Sequence, residues 1–72
     1  MPTVYLVVPC YNEEAVLPET RRRLTAKLTA LMETGRADPR SRILFVDDGS
    51  RDNTWPLIET YHREDPLVSG LK

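Results

Sequence analysis

Apolar residues in this chain fall into two kinds of run. Thr3 to Val8 (T-V-Y-L-V-V) is continuous, β-branched and apolar, the pattern of a strand covered on both faces. Pro9 is expected to end it, because proline removes a ladder donor. Asn12 then caps or turns the chain, and Glu13 and Glu14 suit the positive end of a following helix. Leu17, Leu24, Leu28 and Leu31 recur at helical offsets, which predicts a helix from about Leu17 with Pro18 tolerated in its first turn. Arg21, Arg22, Arg23 and Lys27 fall mostly off that stripe and read as a solvated face. Gly35 stops the helix, and residues 36–40 form the return loop. Arg42 to Val46 reads as a second strand that runs into Asp47-Asp48-Gly49-Ser50. Asp52 or Asn53 caps a second helix, with Pro56 in its first turn. Trp55, Ile58 and Tyr61 follow three apart, Leu57 broadens their face, and His62 near the helix end complements the dipole. Asp65-Pro66 breaks this helix, and Leu67 to Leu71 begins a third strand. The order β-α-β-α-β predicts an α/β fold with a parallel open sheet and right-handed crossovers.

Composition narrows the class. Seventy-two residues make one small domain, which buries only about 60% of the surface its unfolded chain exposes. Ten basic and eleven acidic residues leave a net charge of −1, so bulk electrostatics give no sign of a nucleic-acid partner. One Trp, three Tyr and one Phe are not interleaved with basic residues as a base-stacking platform requires. The longest apolar run, Val4 to Val8, is far short of the roughly 20 residues that span a bilayer. Met1 leads directly into a strand-like segment without a basic leader, so a cytoplasmic, reducing setting is expected. Cys10 is the sole cysteine; filling space at a strand end suits it better than a nucleophilic role.

Candidate chemistry lies where the strands end. In a parallel sheet the first two strands deliver Pro9-Cys10-Tyr11-Asn12-Glu13 and Asp47-Asp48-Gly49-Ser50 to one rim. Carboxylates there can accept from ribose hydroxyls or a base N–H, and Tyr11 offers a flat face. Gly49 permits close backbone approach, and the next helix N-terminus favours anionic groups. Each element also has a structural use: Asp47 can bond turn amides, while Ser50 and Asp52 can cap the helix. Two polar clusters at adjacent strand ends point to a polar small molecule, a nucleotide above all. Neither G-x-G-x-x-G nor a P-loop is present, which disfavours those cradles.

Together the two clusters carry a family signature. V-V-P-C-Y-N-E-E (Val7 to Glu14), followed about thirty residues later by F-V-D-D-G-S-R-D-N-T (Phe45 to Thr54), resembles the start of family 2 glycosyltransferases. The polyprenyl- and dolichyl-phosphate sugar transferases are the nearest in look, and the resemblance runs from Val4 to about Lys72. It implies the N-terminal nucleotide-binding part of a GT-A (Rossmann-like) domain. It also implies inverting transfer from a nucleotide-diphospho-sugar to a lipid-phosphate acceptor such as polyprenyl phosphate, or to a glycan. By the same resemblance Pro9, Tyr11 and Glu13 line the nucleoside pocket, Val46 packs near the base and Asp48 accepts a hydrogen bond from it. Asp47 holds the loop, and Cys10 stands where the family places a small residue.

One departure stands out. The family's D-x-D element, which holds a divalent cation (Mg or Mn) on the diphosphate, occurs nowhere in this sequence. That cation neutralises a charged leaving group. Residues 1–72 are therefore read as a partial domain without catalytic residues or metal ligands, inactive alone. The catalytic base, acceptor site and any membrane helices are expected beyond Lys72, with the parent at the cytoplasmic face of the membrane. Two alternatives stand beside this reading: a non-catalytic remnant that at most binds a nucleotide, and a phosphoacceptor receiver domain. The latter is disfavoured because its acidic pair follows the first strand. In the arrangement the resemblance implies, the first three strands progress in one direction across the sheet, so right-handed crossovers put both helices on one face, leaving the other bare and the isolated chain marginal or prone to aggregate.

Overall fold

The computed structural model describes residues 1–72. Its elements are β1 (Tyr5–Cys10), α1 (Leu17–Glu33), β2 (Arg42–Asp47), α2 (Thr54–Glu64) and β3 (Val68–Leu71). The strands form one parallel sheet in the order β1-β2-β3. The glutamate pair after β1 sits in a turn where the Glu13 carbonyl accepts the Val16 and Leu17 amides at 3.0 and 2.9 Å. At the far end of α1, Gly35 takes a φ of 74°, and the amides of Arg36 and Gly35 close back onto the carbonyls of Leu31 and Met32. That is a Schellman closure, for which glycine supplies the left-handed residue without steric cost.

Pro9 does not end the first strand, which continues through it to Cys10. The amides of Arg42 and Asp48 donate to the carbonyls of Val4 and Cys10, so even-numbered β1 residues face β2. Odd-numbered Tyr5, Val7 and Pro9 turn their backbone groups to the open edge. A proline whose missing N–H lies on that side costs the ladder nothing. The third strand starts at Val68 rather than Leu67, whose carbonyl already accepts the Ile43 amide at 2.8 Å.

Burial alternates along the strands. In β2, Ile43, Phe45 and Asp47 are buried while Arg42, Leu44 and Val46 are half-exposed. In β1, Tyr5 and Val7 are 62% and 60% exposed, whereas Leu6 and Val8 pack against the core. Both helices therefore cover the same face, as sequential right-handed crossovers require. Leu17 and Leu28 from α1 meet Ile58 and Tyr61 from α2 over Ile43, Phe45 and Val68. Only 13 of the 72 residues are buried, so the core is one-sided and the sheet's other face, with Tyr5, Val7, Leu44, Val46 and Leu71, is bare. Arg21 departs from the solvated face expected for the basic run. Its guanidinium stacks 4.4 Å from the Tyr61 ring centroid and lies 3.6 and 3.8 Å from the carboxylates of Glu64 and Asp65. It ties α1 to α2.

The end of the sheet opposite the strand tips is sealed by the return loop. Ser41, fully buried, accepts the Val4 amide at 2.9 Å, and the Asp38 amide donates to the Pro2 carbonyl. Asp38 accepts the Thr3 hydroxyl and both the amide and the guanidinium of Arg40. The Thr3 bond, then those from Arg40, hold the Asp38 carboxyl below the usual carboxylate range.

At the other edge β3 comes very close to α2. A Cβ built on Gly70 would stand 2.5 Å from Ile58 Cγ2 and 3.4 Å from the Trp55 ring. Gly70→Ala is therefore expected to lower unfolding free energy by about 1–3 kcal/mol through overpacking, read from urea denaturation. A neutral or stabilised variant would contradict this packing.

Candidate functional site

Two loops meet at the carboxyl ends of β1 and β2. Residues 11–16 follow β1 and residues 48–53 follow β2, and the parallel register sets Cys10 beside Asp47. The Asp48 amide extends the ladder by donating to the Cys10 carbonyl at 2.9 Å. Asn12 then turns the chain with a φ of 49°, a left-handed conformation that asparagine tolerates better than most residues. Its amide donates to Ser50 Oγ at 2.9 Å, and its Oδ1 accepts the Arg51 amide at 2.8 Å. One side chain on each loop thus satisfies the other loop's backbone.

A second set of bonds lies one turn deeper. The Glu13 amide donates to Oγ1 of the fully buried Thr54 at 2.8 Å. That hydroxyl in turn donates to Asp52 Oδ1 at 2.6 Å, which also accepts the Thr54 amide at 3.0 Å. Asp52 Oδ2 accepts the Glu14 amide at 3.2 Å, and the Glu14 carboxylate accepts from the side chain of Asn53 at 3.2 Å. Of the two capping candidates, Asp52 makes the bonds; Asn53 holds the N-cap position without a side-chain cap. The Thr54 hydroxyl, followed by backbone amides, pulls the Asp52 carboxyl below its ordinary value.

The five nucleoside-pocket candidates distribute around this lock. Pro9 and Val46 are register partners and lie side by side on the bare face. Tyr11 is 54% exposed just past β1, and Asp48 is exposed with its amide fixed to Cys10. Glu13 is half-buried on the helix side, its backbone tied to Thr54. The five lie at the same end of the sheet, Pro9 and Val46 on its bare face and Glu13 toward the helices, and they line no enclosed cavity. The chain's two surface grooves lie elsewhere, one beside Trp55, His62 and Gly70 and one beside Lys27 and Arg36. His62, expected only to complement the helix dipole, donates from Nδ1 to the Val68 carbonyl at 2.7 Å.

Cys10 and Asp47 are buried at the same strand tips. Burial, reinforced by the carboxylates of Glu13 and Asp47, pushes the Cys10 thiol up to about 11. A thiol so protonated at neutral pH is a poor nucleophile, which leaves Cys10 its space-filling role. Asp47 holds the turn as expected, accepting the Ser50 amide on Oδ1 at 3.1 Å. Its Oδ2 is buried and has no partner. Nowhere do three or more His, Cys, Asp or Glu side chains converge as a metal site. The residues present do not fit the cation that the sequence resemblance implies.

Sequence reasoning assigned Ser50 and Asp52 to local caps and passed over Thr54 and the long-range bonds of Asn12. Only the pairing of distant loops reveals those roles; the available signal was a run of small polar residues at 50, 52 and 54 facing N-E-E. Thr54→Val keeps the shape but leaves the half-buried Glu13 amide without its acceptor. We expect it to cost about 1–3 kcal/mol in urea denaturation, with amide shifts concentrated at Asn12 to Glu14. Wild-type stability with an unchanged loop would contradict the assignment.

A parallel α/β domain with an interlocked polar rim at its strand tips belongs to the broad class that binds ligands outside the carboxyl ends of the sheet. Comparison with known proteins is more specific. The family described as "Glycosyl transferase family 2" matches residues 5–72, and the chain belongs to that family. It corresponds to the N-terminal Rossmann-like part of a GT-A domain. It is 46% identical over 71 residues to the uncharacterized glycosyltransferase YkoT of Bacillus subtilis, covering 99% of this chain and 21% of that protein. It is 47% identical over 62 residues to undecaprenyl-phosphate 4-deoxy-4-formamido-L-arabinose transferase of Pseudomonas aeruginosa, covering 86% and 16%. The uncharacterized glycosyltransferase YkcC of Bacillus subtilis is 36% identical over 63 residues, covering 88% and 18%. The chain thus spans about a fifth or less of these relatives. No solved structure matches it. No helix is long and apolar enough to cross a membrane.

Proposed function

We propose that this chain forms the nucleoside-binding part of an inverting glycosyltransferase. The donor is a nucleotide-diphospho-sugar and the acceptor a lipid phosphate of the polyprenyl class. The observation that carries this reading is the lock between the two strand-end loops, in a chain whose family transfers sugars. It ties the backbone of Asn12 and Glu13 to Ser50 and Thr54, beside Tyr11 and Asp48, and so supports a site that gives up little freedom on binding.

In this reading Pro9 and Val46 form an apolar floor for the base and Tyr11 flanks it with its ring. The Asp48 carboxylate accepts a base N–H, and Glu13 borders the nucleoside from the helix side. The carboxylates of Glu13 and Asp48 are acceptors, which suits the donor-rich nucleoside. The acceptor class is supported by the undecaprenyl-phosphate substrate in the name of the Pseudomonas relative. A divalent cation, Mg or Mn, would neutralise the diphosphate leaving group when bound, with ligands that these 72 residues do not supply. In this reading the chain by itself binds the nucleoside of the donor and does not transfer the sugar.

Titration of the isotope-labelled chain with uridine and guanosine diphosphates, followed by amide shifts, tests the assignment. Shifts are expected at Tyr11 to Glu13 and Val46 to Gly49. Asp48→Ala should weaken binding about tenfold or more, the worth of one charge-assisted hydrogen bond. Binding unchanged in both Asp48→Ala and Glu13→Ala would remove the pocket.

A further inference from the structure

Seven of the chain's ten basic residues fall between Leu17 and Arg42, against three acidic ones. This stretch, α1 with its return loop, carries a net +4 in a chain of net −1. Five of the seven are committed. Arg21 lies against Glu64 and Asp65, Arg22 and Arg23 share Glu19, and Arg40 pairs with Asp38. The Arg42 guanidinium donates to the carbonyls of Pro39 and Ser41 at 2.8 and 2.7 Å. Lys27 and Arg36 are the two left without a carboxylate or carbonyl partner, and both are exposed. They line the same groove, of about 320 Å³, together with Ala30, Leu31 and Thr34.

A helix end ordinarily disfavours an anion, because its last carbonyls carry partial negative charge. Here those carbonyls are taken. Ala30 accepts the amide and hydroxyl of Thr34, Leu31 the amides of Arg36 and Ala37, and Met32 the amide of Gly35. Glu33, the one carboxylate between Thr20 and Ala37, does not line the groove. What remains is a pair of unneutralised cations beside two apolar side chains, Ala30 and the partly buried Leu31. A phosphate joined to carbon uses both features. We propose that this groove takes the headgroup of an anionic lipid, its phosphate between Lys27 and Arg36 and the adjoining carbons over Ala30 and Leu31. All five lining residues belong to α1 and its closure, so the groove depends on neither edge of the sheet and neither end of the chain. Since α1 runs back from the strand tips, Lys27 stands about 15 Å along it from Leu17. The groove is separate from Tyr11 and Asp48 and holds the chain to a membrane surface rather than presenting a substrate.

Vesicle co-sedimentation and amide shifts of the isotope-labelled chain test this. Vesicles of phosphatidylcholine mixed with phosphatidylglycerol should carry the chain down, and phosphatidylcholine alone should not. Dihexanoyl phosphatidic acid, added as a soluble monomer, should shift the amides of Lys27, Ala30, Leu31 and Arg36 and leave Tyr11 to Glu13 in place. Lys27→Gln and Arg36→Gln should each weaken vesicle binding about fivefold, the worth of one cation at an anionic surface, with circular dichroism unchanged. Ala30→Glu, which sets a carboxylate in the groove, should abolish binding. Arg23→Gln, whose guanidinium Glu19 already holds, should change it little. An equal loss in Arg23→Gln overturns the proposal, because it marks diffuse attraction to the whole basic stretch. Equal binding to both kinds of vesicle also overturns it and marks adhesion through the bare face of the sheet. Inorganic phosphate shifting the same amides as tightly as phosphatidic acid, without vesicle binding, replaces the lipid with free phosphate.

Discussion

The bond from the Glu13 amide to the Thr54 hydroxyl joins two segments 41 residues apart, and the candidate site depends on it. Parallel strands bring their tips together at no extra cost, but the segments leaving those tips are loops, and loops wander unless their backbone groups are satisfied. Here Thr54 closes the deeper contact and Asn12 with Ser50 the outer one. A side chain from the second loop takes an amide of the first, and Asn12 returns the favour to Arg51. The backbone on either side of Tyr11 and Asp48 is tied across the two loops in this way.

The core explains why such local bonds matter. With both helices on one face, the sheet buries its apolar side chains on one side only. Polar bonds at each end of the strands carry a correspondingly larger share of the order. Thr3, Asp38, Arg40 and Ser41 close the bottom, while the interlocked loops close the top. The unpartnered Oδ2 of Asp47 lies at that top, where strain and incomplete pairing concentrate in functional sites.

Much of the architecture was legible in the chain. Leu17, Leu28, Ile58 and Tyr61 gave both helices their buried faces, and Gly35 marked the Schellman closure. Pro9 misled because its effect on a strand depends on which side faces a neighbour, and that is a property of the sheet order. Arg21 misled likewise: its place in a basic run looked solvated until Tyr61 and Glu64 arrived from another helix. The rim was legible as two motifs, Val7 to Glu14 and Phe45 to Thr54, and those motifs also carried the family. Thr54 was not, since its partner is a backbone amide far away in sequence.

Native-state hydrogen exchange tests the lock most directly. The amides of Asn12, Glu13 and Arg51 lie in loops, yet this account predicts protection comparable to that of Phe45 and Val46 in the central strand. Exchange of those three amides at the rate of free peptide, with the strands still protected, would show that the loops move independently and that no preformed site exists.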